Sequence, residues 1–168
     1  DLKDRGVEFL MDTKGNTLIP FEKLLPGDIV VVPAFGTTLE IESKLKAIGV
    51  EIEQYNTTCP FVEKVWNRAQ AIAKNQYSII LHGKPQHEET RATFSHSALH
   101  SPTVVVNDMQ EAVALSAYIL GTGDPEEFYT QFAGQYSEGF NVSRDLERIG
   151  VVNQTTMLAS DTQAIADF

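Results

Sequence analysis

Apolar residues along this chain fall in short blocks that alternate between two periods. Val7 to Met11 is a brief apolar segment and is expected to be a strand; the turn Asp12-Thr13-Lys14-Gly15-Asn16 follows it. Pro20 to Leu25 has room for one helical turn, closed by Pro26-Gly27. Asp28 to Pro33 (DIVVVP) is a continuous apolar run, the pattern of a strand buried on both faces. Thr37 or Thr38 then caps a helix to about Ile48. Its apolar stripe is Leu39, Ile41, Leu45 and Ile48, and Gly49 ends it. Val50 to Tyr55 is the next predicted strand.

Asn56-Thr57-Thr58-Cys59-Pro60 leads into a helix to about Lys74. Pro60 stands at the first helical position, where its missing N–H costs nothing. Phe61, Val62, Val65, Trp66, Ala69 and Ile72 are its expected buried face. Tyr77 to Leu81 reads as a strand, His82 to Gln86 as a loop, and His87 to about Phe94 as a helix. Thr103 to Val106 is a strand. Asp108 caps a helix to Leu120 with Met109, Ala112, Val113, Leu115, Ser116 and Ile119 inward. Residues 121–147 break the rhythm with an aromatic-rich insertion (Phe128, Tyr129, Phe132, Tyr136, Phe140), expected to pack on the surface. Arg148 to Asn153 returns to a strand. A last helix opens at Ser160 or Asp161.

Strands alternating with helices at this spacing predict an α/β fold of parallel βαβ units. The rhythm divides into two similar modules, one to about Cys59 and one from Pro60 onward. The first residue is Asp rather than Met, and the last helix stops before a C-cap. The sequence is therefore expected to be part of a longer protein.

Composition narrows the function. The chain has 168 residues, 42% hydrophobic and 21% charged, an ordinary balance for a globular domain. Thirteen Lys and Arg against 23 Asp and Glu leave a formal charge of −10. That argues against a general nucleic-acid partner, which requires an excess of cations to neutralise phosphates. Apolar runs reach about six residues, against the roughly 20 that span a bilayer. A single cysteine, Cys59, excludes an internal disulfide and favours a reducing compartment.

Ligands of open parallel sheets collect beyond the carboxyl ends of the strands. The segments there are 34–38, 56–60, 82–90 and 154–156. They hold Cys59, His82, His87, Glu88, Glu89, Thr155 and Thr156. Cys59 precedes a helix, a place that favours the thiolate as nucleophile or metal ligand; a small buried hydrophobe is the other reading. His87 opens a helix whose free N–H groups attract anions. Glu89 is either an acid–base group or a partner of the helix dipole, and Glu88 reads as the latter. Thr155 and Thr156 carry hydroxyls into the edge or cap the last helix. Phe35 supplies apolar wall, and Trp66 fits a core stripe. His82 reads as a hydrogen-bonded spacer, His96 and His100 as solvated. Gly121-Thr122-Gly123 lacks the third glycine and preceding strand of a dinucleotide loop. Two classes stand on these residues alone. One is a cysteine-nucleophile hydrolase using Cys59, His87 and Glu89 in a single chain. The other is an anion-binding metal or cluster enzyme with Cys59 as one ligand of several. A non-catalytic phosphate-binding module is a third reading.

Three blocks carry a resemblance: Asn56-Thr57-Thr58-Cys59-Pro60-Phe61-Val62, His82-Gly83-Lys84-Pro85 with His87-Glu88-Glu89-Thr90, and Asn153-Gln154-Thr155-Thr156-Met157-Leu158. Together they resemble the 4-hydroxy-3-methylbut-2-enyl diphosphate reductases, the last enzymes of the methylerythritol phosphate route to isoprenoids. Pro33-Ala34-Phe35-Gly36 and the aromatic insertion resemble the cyanobacterial and plastid branch. Phe35 stands where many bacterial members carry a histidine.

The resemblance implies three α/β modules in a trefoil around a central 4Fe–4S cluster. Residues 1–59 would be the remainder of the first module and 60–168 the second, truncated at its end. It implies that Cys59 is a cluster ligand, with two more cysteines outside this chain. It implies that Glu89 delivers a proton to the departing hydroxyl, that His87 and Thr155 contact the substrate, and that Thr156 lies beside them. The implied reaction is reductive dehydroxylation to isopentenyl and dimethylallyl diphosphate. Ferredoxin or flavodoxin would give the electrons, in bacterial cytoplasm or, second, plastid stroma. The fragment alone would be inactive.

Overall fold

The β-branched runs SIILH, TVVV and IGVVN form three strands: β1 (Ser78–His82), β2 (Thr103–Val106) and β3 (Ile149–Asn153). The computed structural model describes residues 2–168; Asp1, which opens the charged first stretch, lies outside the described residues. The strands pair in parallel in the order β2-β1-β3, with Ile80 opposite both Val104 and Val151. Among the described residues seven α-helices accompany them: α1 (Leu39–Ile48), α2 (Pro60–Lys74), α3 (Glu88–Ala98), α4 (Met109–Ile119), α5 (Pro125–Gln131), α6 (Val142–Asp145) and α7 (Ala159–Asp167).

Strand alternation sorts side chains between two layers. Ile79, Leu81, Val105 and Val152 face α2 and α3 and pack with Ala69, Val65, Ile72 and Phe94. Ile80, Val104 and Val106 face the other way, onto Leu115 and Tyr118 of α4. The aromatic insertion completes that second layer rather than lying on the surface. Phe128, Phe132 and Phe140 are buried, with Phe128 stacked between the other two at 5.1 and 5.4 Å. Two short helices and a turn offered no long apolar stripe to read, so clustering of rings, not periodicity, organises this core. The insertion also closes an edge. Tyr136 bridges Val104 antiparallel, and Gln135 and Ser137 exchange backbone bonds with Val105 and Thr103. The β2 edge is thereby paired.

A third cluster, Val32, Leu45, Val50 and Ile52, holds the N-terminal part together. The expected strands at 28–33 and 50–55 are reduced to two parallel bridges, Ile29 with Glu51 and Val32 with Asn56. Three steps on one side span five on the other, so the turn at 53–55 loops out and no ladder forms. Ile29 and Val31 are exposed, so burial on both faces does not hold. Val7 to Met11 is not a strand either; Met11 makes a single bridge to Thr17. Asp12 organises the expected turn, its Oδ1 accepting from the N–H groups of Lys14 and Asn16.

Helix ends follow their capping chemistry. Thr38 caps α1, Asp108 caps α4, and Gly49 ends α1 with φ +87°. Leu158 precedes α7, so Ser160 and Asp161 lie inside its first turn rather than capping it. Phe61 and Val113, expected inward, are exposed. Phe61 opens α2 and lies under Lys64, whose Nζ is 5.1 Å from the ring centre. His82 is not in a loop: it ends β1, buried, with Nδ1 2.8 Å from Thr162 Oγ1. α3 runs on to Ala98, which places His96 on a helix face. His96 is not solvated. It stacks on Trp66 at 3.7 Å, and burial holds it below the ordinary histidine pKa although Glu42 lies 3.9 Å away.

Candidate functional site

From β1 the chain crosses through α3 to β2 on one side, then returns past β1 to β3 on the other. The loops after β1 and β3 therefore separate at the sheet's switch point, where a crevice for ligand forms in such folds. Residues 83–90 and 154–158 meet there.

Glu89 lies in the first turn of α3 and is 2% exposed. Its carboxylate is held across the crevice by a single residue. Thr155 N–H donates to Oε1, and Thr155 Oγ1 donates to Oε2 at 2.8 Å. Buried carboxylates need such partners. His87 is the N-cap of α3, its Nδ1 accepting from Glu89 N–H at 3.2 Å. An accepting Nδ1 leaves the neutral ring's proton on Nε2, which becomes a donor. Phe35 meets that ring edge-on at 5.7 Å, so the loop after residue 33 forms apolar wall beside His87.

Gln154, to which sequence reasoning assigns no role, is the buried centre of this edge at 2% exposure. Its Oε1 accepts from Thr90 Oγ1 at 3.0 Å and Lys84 N–H at 3.1 Å; its Nε2 donates to Thr156 Oγ1 at 2.6 Å. Thr156 thus joins the edge through Gln154 and does not cap α7. The only sequence signal for Gln154 is a carboxamide directly after an apolar strand, which is weak. Glu88, also in the first turn, is only partly buried, in keeping with a dipole partner.

Cys59 is the N-cap of α2 and is half-buried. Its N–H donates to Ala34 O at 2.9 Å, which ties it to the loop bearing Phe35. Its side chain makes no capping bond. Among the described residues, no hydrogen bond links Cys59 to His87, and the His87 ring does not reach the Glu89 carboxylate. The nucleophile–base–acid chain required of a hydrolase is not assembled. No group of three His, Cys, Asp or Glu among the described residues could hold a metal ion. One cleft, of about 500 Å³, is lined by Thr38, Arg91, Phe94, Ser95 and Gly134 among others, and excludes Cys59, His87, Glu89 and Thr155. The chemistry is at the sheet edge, where the convergent polar groups are. No helix among the described residues is long and apolar enough to cross a membrane.

Fold and edge together define a class: a parallel α/β protein with a buried carboxylate–hydroxyl pair and a histidine donor at its switch point. The family model described as LytB protein matches residues 1–168, and the chain belongs to that family. A 4-hydroxy-3-methylbut-2-enyl diphosphate reductase of Prochlorococcus marinus (strain MIT 9211) is 43% identical over 98% of this chain and 39% of its own length. The same-named protein of Synechococcus sp. (strain CC9902) is 46% identical over 98% and 39%. Both organisms are cyanobacteria. The solved E-1-hydroxy-2-methyl-but-2-enyl-4-diphosphate reductase from Plasmodium falciparum shares the fold, with a TM-score of 0.61 at 22% identity over 88% of this chain and 37% of that one. The chain spans about two-fifths of the length of the curated relatives it matches.

Proposed function

We propose that this chain is part of a 4-hydroxy-3-methylbut-2-enyl diphosphate reductase. The reaction would replace the substrate's hydroxyl by hydrogen: the C–O bond breaks, water leaves, and two electrons and two protons enter. The products would be isopentenyl and dimethylallyl diphosphate. The observation that carries this reading is the Glu89–Thr155 pair, a buried acid joined to a hydroxyl at the switch point of a LytB-family chain.

Each residue has a role set by its bonds. Glu89 would hold the proton that the leaving hydroxyl takes, with Thr155 Oγ1 beside it as relay. His87 Nε2–H would bind an oxygen at the diphosphate and hydroxyl end, helped by the start of α3. Thr156 accepts from Gln154, so its own proton is left to donate toward the substrate. Phe35 would exclude water from the His87 side.

The residues present fit one share of a 4Fe–4S cluster. Cys59 offers a half-buried thiol that makes no capping bond, at a helix N-terminus that favours the thiolate. Two further thiolates would come from outside these 168 residues, in the trefoil that places 1–59 in one module and 60–168 in the next. When bound, such a cluster supplies electrons and a Lewis-acidic iron. Ferredoxin or flavodoxin would deliver the electrons, in a bacterial cytoplasm ahead of a plastid stroma. The 168 residues alone would then be inactive.

The test uses the complete protein that contains this chain. Glu89→Gln should lower kcat by about 100-fold or more with iron content unchanged. Cys59→Ser should remove the cluster's visible absorbance. Full turnover by Glu89→Gln, or turnover by residues 1–168 alone, would sink the proposal.

A further inference from the structure

We propose that Gln154 is a positioning residue that keeps the proton-donating pair assembled; this rests on the reductase reading above. The argument begins with what the crevice needs. Glu89 is on α3 and Thr155 follows β3, 66 residues apart in sequence. Their two bonds cross the gap between two loops, and nothing in either loop alone holds the pair in register.

Gln154 supplies that register. Its backbone N–H donates to His82 O at 2.8 Å, which continues the β1–β3 ladder by one step and fixes the residue before Thr155. Its side chain then turns inward and crosses the crevice. Oε1 takes Thr90 Oγ1, on the residue after Glu89, and Lys84 N–H, in the loop after β1. Nε2 takes Thr156 Oγ1, on the residue after Thr155. One amide therefore binds a neighbour of each member of the pair. It is satisfied at both ends, as a buried carboxamide must be. Gly83 leaves the space: a Cβ there would stand 2.7 Å from Thr90 Oγ1 and 3.0 Å from Gln154 Cβ. The tie is thus packed as well as bonded. With Glu89 and Thr155 locked, the carboxylate and the hydroxyl that would pass the proton stand at fixed positions before substrate arrives, which is where catalytic geometry gains most.

The experiment has two arms. In the complete protein that contains this chain, amide hydrogen exchange is followed in Gln154→Met, which keeps volume and removes the polar tie, and in Thr90→Val, which cuts the same tie from α3. Thr155 N–H, bonded to Glu89 and not to Gln154, should exchange at least tenfold faster in both, with Val152 in the ladder unchanged. In the complete protein, Gln154→Met should lower kcat about tenfold and leave KM within threefold, because the pair is displaced and the anion site is not. Gln154→Glu keeps the accepting oxygen and should recover part of kcat. Unchanged Thr155 exchange in both variants overturns the proposal, as does a loss confined to KM. If Gln154→Met does not fold, Thr90→Val decides alone. If Glu89→Gln leaves kcat intact, the reductase reading has failed, and the exchange arm still decides whether Gln154 holds Thr155.

Discussion

Glu89, His87 and Thr155 could be placed one by one from the sequence: His87 before α3, Glu89 in its first turn, and Thr155 just beyond the end of β3. Their pairing was not legible. It depends on α3 and β3 meeting across the switch point, a contact between residues far apart in sequence. Gln154 escaped notice because a lone glutamine carries no chemistry until its four partners are known. Cys59 could be placed at a helix start, and it stands there as the N-cap of α2. A similar dependence on unseen neighbours governs Gly36. It has φ +75°, and a Cβ there would stand 2.5 Å from the Trp66 ring. That ring is fixed, since Nε1 donates to Thr93 Oγ1 at 3.0 Å and its face lies on His96. Gly36→Ala should therefore cost about 1–3 kcal/mol from backbone handedness and overpacking. Urea denaturation followed by fluorescence of Trp66, the one tryptophan, measures it. A midpoint equal to the parent's would show that the loop gives way freely, and with it the Phe35 wall.

Elements read well where one period ran long enough. α2 begins at Pro60 and ends at Lys74 as expected, because Pro60 and the apolar stripe agree. β2 matches residue for residue. Reading failed where burial comes from only one side, as at Ile29 and Val31, and where an aromatic cluster replaces periodicity. The insertion at 121–147 is the clearest failure. Phe128 and Phe132 are the largest fully buried side chains among the described residues, and the insertion's turn at 135–137 closes the β2 edge. It is therefore structural, not decorative. Phe128 touches Tyr118, Tyr129, Phe132, Tyr136 and Phe140. Phe128→Ala should cost about 3–5 kcal/mol. It should also loosen the 135–137 edge, visible as faster exchange of the Ser137 amide, which donates to Thr103 O. Surface packing, the earlier expectation, predicts less than about 1 kcal/mol and no change at Ser137.

At the scale of the whole molecule, buried His82 and half-buried His96 set how the fold meets acid. Burial lowers both His82 and His96 below the ordinary value; Asp161 and Asp108 beside His82, and Glu42 beside His96, oppose that without reversing it. The unfolded chain takes up these two protons near pH 6.5 and the native state takes them lower. Stability must then fall as pH drops from about 6.5 to the lowered native values, and change no further below them on this account. A second loss comes from carboxylates. Asp108 is lowered by the Glu111 N–H it caps, and in Asp145 the Arg144 guanidinium and Asn141 N–H outweigh burial. Their contribution is complete above about pH 4 and is lost as pH falls through their lowered values. Two separate windows follow, histidine first. Urea midpoints at pH 7.5, 6.5, 5.5, 4.5 and 3.0 should decline in the parent across the first three and again between the last two. His96→Gln should flatten part of that decline, and His82→Gln with it the remainder, while the loss at lower pH persists in both. A parent curve level from pH 7.5 to 5.5 would mean that the native state accepts both protons as readily as the unfolded chain. The Trp66–His96 stack would then open to admit water, and the junction of α1, α2 and α3 would be a soft one.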